Sequence, residues 1–391
     1  MDAQHYRATH PGARSETKKS DLGGIAAQVT LAICLAAAGW YVTSTTLHNL
    51  STRGITTGFN FLGRPAGFDV AFSLVPFSSA SPIWMALVVG ITNTLFLAVM
   101  AAVFGTLLGL GVVALRLSPS PAASKLAAGY IGLFRNTPVL LHLSFWYFAV
   151  FSALPGVREG FSTGNVAFLN NRGLFLPAPV ADNWVWALAC LAALLPVVVA
   201  RQVGGQHPTS TFARLDLSLI GGGLLFCLVI ALGVQSWDLP VPAGLGIRGG
   251  LLVIPELLAV LVAMSIYSSA FIAELLRGAI RSIDTGQTEA AQALGLTRNV
   301  VARHVIIPQA IRLVIPPLTN QYVNMIKQTA IVASIAFPDL MLIFGKTVLT
   351  QTGQAIECLT IVTAVYLSIS LACSGLMHAY SRALNAQGVR R

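Results

Sequence analysis

Long apolar runs broken by short polar stretches set the pattern of this chain. Runs free of Asp, Glu, Lys and Arg cover 22–52, 70–115, 136–157, 183–200, 217–237, 257–273 and 358–381. About 20 apolar residues in a helix cross a bilayer. The pattern predicts eight membrane helices, near 23–46, 86–115, 137–154, 184–200, 215–236, 251–275, 318–344 and 355–380. None of the runs alternates apolar and polar residues as a membrane β-strand does. The expected fold is an all-α polytopic membrane protein.

One long stretch of the second half does not fit a span. Residues 282–316 carry Asp284, Glu289, Arg298, Arg303 and Arg312 between two apolar blocks. Asp284 can cap a helix, with Gln287 three residues on to complete a capping box. Glu289 falls in the first turns, where the helix dipole favours a carboxylate. Ala290, Ala291, Ala293 and Leu294 are small or apolar, and Gly295 can take positive φ and end the helix. Thr297 can cap a second helix over 298–306, with Val300, Val301 and Val305 toward one side and Pro308 limiting its continuation. The pattern predicts a helix-Gly-helix elbow. It suits equally a docking element for another protein and a linker helix on the membrane surface.

Composition supports the membrane reading. Of 391 residues, 55% are hydrophobic and 10% charged, against about 25% charged in soluble domains. The net charge of +10 is spread over many short loops, which argues against nucleic acid and for orientation in a bilayer. With the N-terminus inside, the eight predicted spans leave 17 Lys and Arg in inner segments and 6 in outer loops. That bias places both termini and the elbow in the cytoplasm. Residues 1–21 are then a cytoplasmic tail, 22–84 a first membrane helix with a periplasmic loop, and 85–385 the main membrane domain. Residues 22–46 read as a retained span, since no cleavage site is evident.

Enzyme chemistry finds little purchase. The five cysteines Cys34, Cys190, Cys227, Cys358 and Cys373 lie in or beside apolar runs without a CxxC, so they read as buried small apolar residues. The seven histidines show no metal spacing, and His142 reads as a packed polar residue. Gly345-Lys346-Thr347 lacks the upstream glycine of a phosphate loop, since Leu340 stands there. No metal site, and no cofactor held by this chain, is expected. Gly105 and Gly109 form a small-xxx-small pair that permits close helix approach. Polar residues within spans usually face the bundle interior and mark a substrate path. Glu256, Glu274, Asn324, Lys327, Gln328 and Thr329 qualify, with Glu274 expected to pair with Arg277 or Arg281.

Several motifs together resemble one family. Glu289-Ala290-Ala291, Gly295 and Val305-x-Ile307-Pro308 match the EAA loop of permease subunits of bacterial ABC importers. Asn93-Thr94-Leu95, Tyr130-x-x-x-Phe134-Arg135-Asn136-Thr137-Pro138, Glu274-x-x-Arg277-Gly278, Ser282-Ile283-x-x-Gly286-Gln287, Pro308-Gln309-Ala310, Pro316-Pro317-Leu318-x-Asn320 and Lys327-x-Thr329 are similar to elements of its polar-amino-acid branch. The resemblance covers about 86–150 and 250–382. Asn136 stands where Gly is usual, Ala330 where Ser is usual, and the insert 151–250 is longer than in compact members.

The resemblance implies a MetI-like permease core with extra helices in a bacterial inner membrane. It implies a general or polar L-amino-acid importer, with a cytoplasmic ATPase dimer binding ATP and magnesium. It further implies a second related permease, or a second copy of this one, and a periplasmic amino-acid-binding protein. Asp284, Gln287, Glu289, Ala290, Ala291, Gly295, Arg298 and Pro308 would couple to the ATPase through a cytoplasmic loop 282–308. Arg135, Thr137, Pro138, Glu274 and Arg277 would serve gate or structural roles. Another small polar solute, such as an opine or a short peptide, stays open as cargo. An ion-coupled secondary transporter is the rival, but it leaves the elbow unexplained.

Overall fold

The computed structural model describes residues 22–52, 58–182 and 221–388 apart from 165, 227 and 245, together with 54, 185, 186 and 188. It divides into two units that meet between Gly58 and Phe59. The first is helix α1, Leu22–Thr52, apolar on every face. The predicted span at 184–200 and the predicted tail 1–21 lie outside the described residues, apart from 185, 186 and 188.

The second unit begins earlier than the charge pattern suggests. Residues 59–82, expected as a loop belonging with α1, fold onto α2, Ile83–Arg116. Phe61 and Ala66 are buried there, a bridge joins Pro65 to Pro82, and Asp69 Oδ1 accepts from Ser79 N at 2.7 Å. These bonds occupy backbone groups that a free loop would leave to water.

Helix α3, Pro121–Asn136, is capped by the Ser120 hydroxyl and starts with proline, whose missing N–H costs nothing at that position. Helix α4, Val139–Ser144, runs on as π-helix to Phe151. At 13 residues, the apolar helix Val139–Phe151 is too short to cross alone, which corrects the predicted span 137–154. Thr137 and Pro138 are extended and break α3 from α4. Both helices pack along α6, Pro255–Arg281.

The region 151–250 also departs from expectation. Its described parts hold a helix α5, Gly221–Gly233, and short strands in place of loops. The strands are β1 Phe161–Thr163, β2 Ala167–Asn170, β3 Gly173–Leu176, β4 Ala178–Val180, β5 Ser236–Asp238, β6 Val241–Ala243, β7 Gly246–Arg248 and β8 Leu251–Val253. An antiparallel sheet runs β1-β2-β3-β8, with smaller pairs β4-β5 and β6-β7. β2 and β3 alternate in burial, with Phe168 and Phe175 paired and inward. Strands of three or four residues are too short to show that period in sequence. The stretches before and after α5 thus pair with each other, and α6 starts at Pro255 rather than near 251.

After α6 come α7, Thr285–Ala293, and α8, Arg298–Val301. A π-helical turn, Ala302–Ile306, joins α8 to α9, Ile307–Gln328, and a 3-10 segment Thr329–Ile335 follows. A helix α10 begins at Leu340–Leu342 and continues through π turns to Thr352. Helix α11, Ala355–Gly388, closes the chain. The predicted span 318–344 is therefore interrupted at 336–339. Among the described residues, five helices are long and apolar enough to cross a membrane: Ala26–Thr46, Ile83–Arg116, Pro255–Arg281, Arg298–Ile335 and Ala355–Arg382.

The core lies between α2 and α6. Gly105 and Gly109 let the two helices meet: a Cβ on Gly105 would lie 3.1 Å from Ser268 Cβ, and one on Gly109 3.0 Å from Ile272 Cγ2. Leu97, Ala101, Val260, Ala263 and Met264 fill the contact with Met325 of α9 and Phe337. A second cluster seats Leu340, Phe344 and Val348 of α10 on Ile83, Ala86 and Val89 of α2.

Candidate functional site

The elbow forms, with two changes to its caps. Asp284 caps α7 by accepting from Gly286 N at 3.1 Å, one residue nearer than a capping box requires. Gln287 N donates to the Asp284 carbonyl instead. Gly295 has φ +78° and turns the chain. Thr297 precedes α8 in extended conformation, without the side-chain cap expected of it.

Pro308 does not stop the second arm. It sits in the first turn of α9, directly after the π turn Ala302–Ile306. Proline cannot donate to the carbonyl four residues back, and its ring crowds that carbonyl. Widening the turn relieves both problems: Ile307 N donates to Ala302 O, five residues back. The elbow's second arm, from Arg298, therefore passes without a break into α9. Asp284, Gln287, Glu289, Ala290, Gly295 and Arg298 are exposed, while Ala291 and Val301 are buried and Pro308 is half-buried. Val300 is exposed and Val305 half-buried, so the three valines do not share one buried side. Leu294 is 81% exposed, a large apolar side chain at the tip with no partner in the chain's core.

Next to the elbow, the end of α6 carries the charged group of the bundle. Arg277 holds Glu274 with two bonds, at 2.5 and 2.7 Å, as the i,i+3 spacing allows. Arg281 was the other expected partner and is exposed. Arg135 of α3 stands 4.0 Å from Glu274 and 5.3 Å from the centre of the Phe271 ring. Arg116, in the last turn of α2, donates to Ser124 Oγ at 2.6 Å. Asn136 ends α3 in helical backbone, so no positive φ calls for glycine there. Thr137 Oγ1 donates to the Leu133 carbonyl at 2.9 Å.

The residues expected to line a substrate path separate. Asn324 and Lys327 are exposed on α9. Gln328 is half-buried and interacts with the Tyr267 hydroxyl of α6, while its Oε1 has no partner among the described residues. Thr329 is buried and donates to Ile326 O at 2.7 Å. Glu256, in the first turn of α6, accepts from the Tyr147 hydroxyl at 2.9 Å. No hydrogen bond or ion pair joins Glu256 to the group 324–329 among the described residues.

Sequence reasoning missed a buried polar latch at 336–339. Asn93 Nδ2 donates to Phe72 O at 3.0 Å and Pro338 O at 2.8 Å. Thr94 Oγ1 accepts from Leu340 N at 3.1 Å. Asp339 is fully buried; its Oδ1 accepts from Leu342 N at 2.8 Å and its Oδ2 from the Tyr366 hydroxyl at 3.1 Å. Asn93 and Thr94 stand in the Asn93-Thr94-Leu95 motif, and Asp339 is the one acidic residue between Glu289 and Glu357, the sequence signal for this latch. His142 is buried between Phe134 and Tyr267, in keeping with a packing role. Of the described cysteines, Cys358 is buried as expected, but Cys34 is exposed and Cys373 half-buried. Cys190 and Cys227 lie outside the described residues. Gly345-Lys346-Thr347 is π-helical, which is not the open loop that cradles a phosphate.

Comparison with known proteins identifies the family. Residues 101–385 match the family described as binding-protein-dependent transport system inner membrane component. The chain is 40% identical over 97% of its length, and 98% of the other's, to YhdX of Escherichia coli, an amino-acid ABC transporter permease by provisional name. It is 39% identical to the general L-amino acid transport system permease AapQ of Rhizobium johnstonii, over 90% of this chain and 89% of that one. Among solved structures it is similar to an amino acid ABC transporter with histidines, at 24% identity and TM-score 0.47 over 77% of this chain and 94% of that one. The family match over most of the chain, and relatives aligned almost end to end, make this chain a member of the binding-protein-dependent transport system inner membrane components, the permease subunits of ABC importers.

Proposed function

We propose that the chain is one permease of an ATP-driven importer of polar or general L-amino acids, coupled to a cytoplasmic ATPase dimer through residues 284–308. The observation that carries the coupling role is the elbow itself. It is exposed along Asp284, Gln287, Glu289 and Arg298, and its second arm continues without a break into α9 through the π turn before Pro308. A push on the exposed elbow is passed to the span that this arm is continuous with, as in the rocking of packed helices. The names of the aligned relatives support amino acids as cargo. A periplasmic binding protein would deliver them, and the ATPase would hold ATP and magnesium. A second permease, or a second copy, would complete the passage. The charge bias supports N- and C-termini in the cytoplasm.

The test is co-purification of the full chain with its ATPase, followed by uptake of labelled amino acids into liposomes. Uptake should require ATP and binding protein, and should survive collapse of the proton gradient. Glu289→Lys combined with Gly295→Val should abolish ATPase retention. Retention at the wild-type level would overturn the coupling role. Uptake driven by a proton gradient without ATP would overturn the importer reading.

A further inference from the structure

The geometry points to a binding site for the phosphate of an anionic phospholipid, built from Arg116, Arg135 and Arg277 on the elbow's side of the bundle. A cavity of about 240 Å³ opens among these three residues, with Glu274 as the acidic member of its lining. Three guanidiniums against one carboxylate leave a net charge of about +2 in one pocket. The carboxylate is already taken up by Arg277, at 2.5 and 2.7 Å. Arg135 is 4.0 Å away and makes no direct hydrogen bond to it among the described residues. Arg116 spends one nitrogen on Ser124. Most of the donors of Arg116 and Arg135 therefore remain for a ligand. Planar guanidiniums present paired donors that match phosphate oxygens.

The pocket's position at the ends of α2 and α6 points to a lipid headgroup rather than a free anion. Arg116 closes the last turn of α2, and at 34 residues that helix is about 51 Å long. It exceeds the hydrocarbon thickness, so its last turn reaches headgroup depth. Basic pockets between membrane helices at that depth take up anionic headgroups.

The experiment uses the full chain in detergent, with native mass spectrometry as the readout. Phosphatidylglycerol, phosphatidylcholine and inorganic phosphate are titrated separately. The wild type should retain phosphatidylglycerol at least tenfold more strongly than phosphatidylcholine, and millimolar inorganic phosphate should not displace it. Arg116→Gln with Arg135→Gln should remove that preference. Glu274→Gln, which deletes the counter-charge, should increase phosphatidylglycerol retention severalfold, a gain that misfolding cannot produce. Equal retention of the two lipids overturns the proposal, as does a preference unchanged in the double variant. Displacement by inorganic phosphate assigns the pocket to a free anion and overturns the lipid. Loss of the lipid on assembly with the ATPase and second permease makes the face a subunit contact, and the proposal falls. None of these outcomes bears on ATP-driven uptake, so the importer reading stands or falls separately.

Discussion

At Gly90 an added Cβ would sit 2.9 Å from the Cα of Leu340; at Gly295 it would meet nothing within 4 Å. Both glycines serve the fold, for opposite reasons. Gly90 lets two backbones touch inside the bundle, where α10 lies on α2. Gly295 supplies a left-handed turn, φ +78°, in the exposed elbow. Around Gly90 the chain is dense, and Asn93 Nδ2, Thr94 Oγ1 and Asp339 Oδ2 take up the Pro338 carbonyl, the Leu340 N–H and the Tyr366 hydroxyl. Around Gly295 most side chains face outward. The first region holds itself together. The second is shaped by backbone preference and left open to a partner. The contrast implies that substitutions in the core read out as stability, and substitutions in the elbow as coupling.

Gly90→Val is expected to have the largest effect on stability. The clash is with backbone, which cannot rotate away, so the cost should reach the upper end of overpacking, about 3 kcal/mol or more. Thermal unfolding in detergent should fall steeply, or folded protein should fail to accumulate. A variant as stable as the wild type would show that α2 and α10 are not pressed together.

Asp339→Ala comes next. It strands the Leu342 N–H and weakens the support of the Tyr366 hydroxyl, which retains a 3.5 Å approach to Thr329. A buried donor left unpaired costs about 1–3 kcal/mol. Tyr366→Phe should cost less, about 1 kcal/mol, because Oδ1 keeps its backbone donor. Thermal unfolding of the two variants gives this order; the reverse order would remove Asp339 as the centre of the latch.

Three long spans and the elbow are legible in sequence because each rests on one local signal. Apolar runs gave α2, α6 and α11, and the Asp284 and Gly295 positions gave the ends of α7. Features that depend on distant neighbours were not legible. Leu174 pairs with Val253 across α5, and a three-residue strand has no period of its own. The break at 336–339 is held by Asn93 and Thr94, some 245 residues away in sequence. α4 reads as a whole span because the charge-free run 136–157 extends past the end of its helix at Phe151. Pro308 looked like a stop because the remedy, a π turn, leaves no mark in composition. Polarity alone marks Glu256, Asn324, Lys327, Gln328 and Thr329 as a path, and polarity does not say which face of its helix each occupies.

Gly295→Ala tests the elbow with a smaller effect. The space is open, so only the left-handed backbone is strained, at about 1 kcal/mol. Because α7 and α8 make few contacts with the bundle, that strain should be relieved locally. Hydrogen exchange should quicken in α7 and α8 while α2 and α6 keep their protection. Loss of protection across the whole bundle would mean that the elbow belongs to the core's cooperative unit.

Glu289→Lys should have the smallest effect on stability and the sharpest on function. Glu289 is exposed on α7 and takes part in no ion pair among the described residues. Glu289 is the fifth of nine residues in α7, beyond the first turn where a carboxylate would gain from the dipole, so the fold owes it little. The thermal midpoint should therefore stay within about 0.5 kcal/mol of the wild type, as for most surface changes. ATP-driven uptake should nevertheless be lost, because the reversed charge meets the partner's surface. If uptake falls only as far as stability does, Glu289 supports its own helix and the contact lies elsewhere on the elbow, with exposed Leu294 the next residue to change.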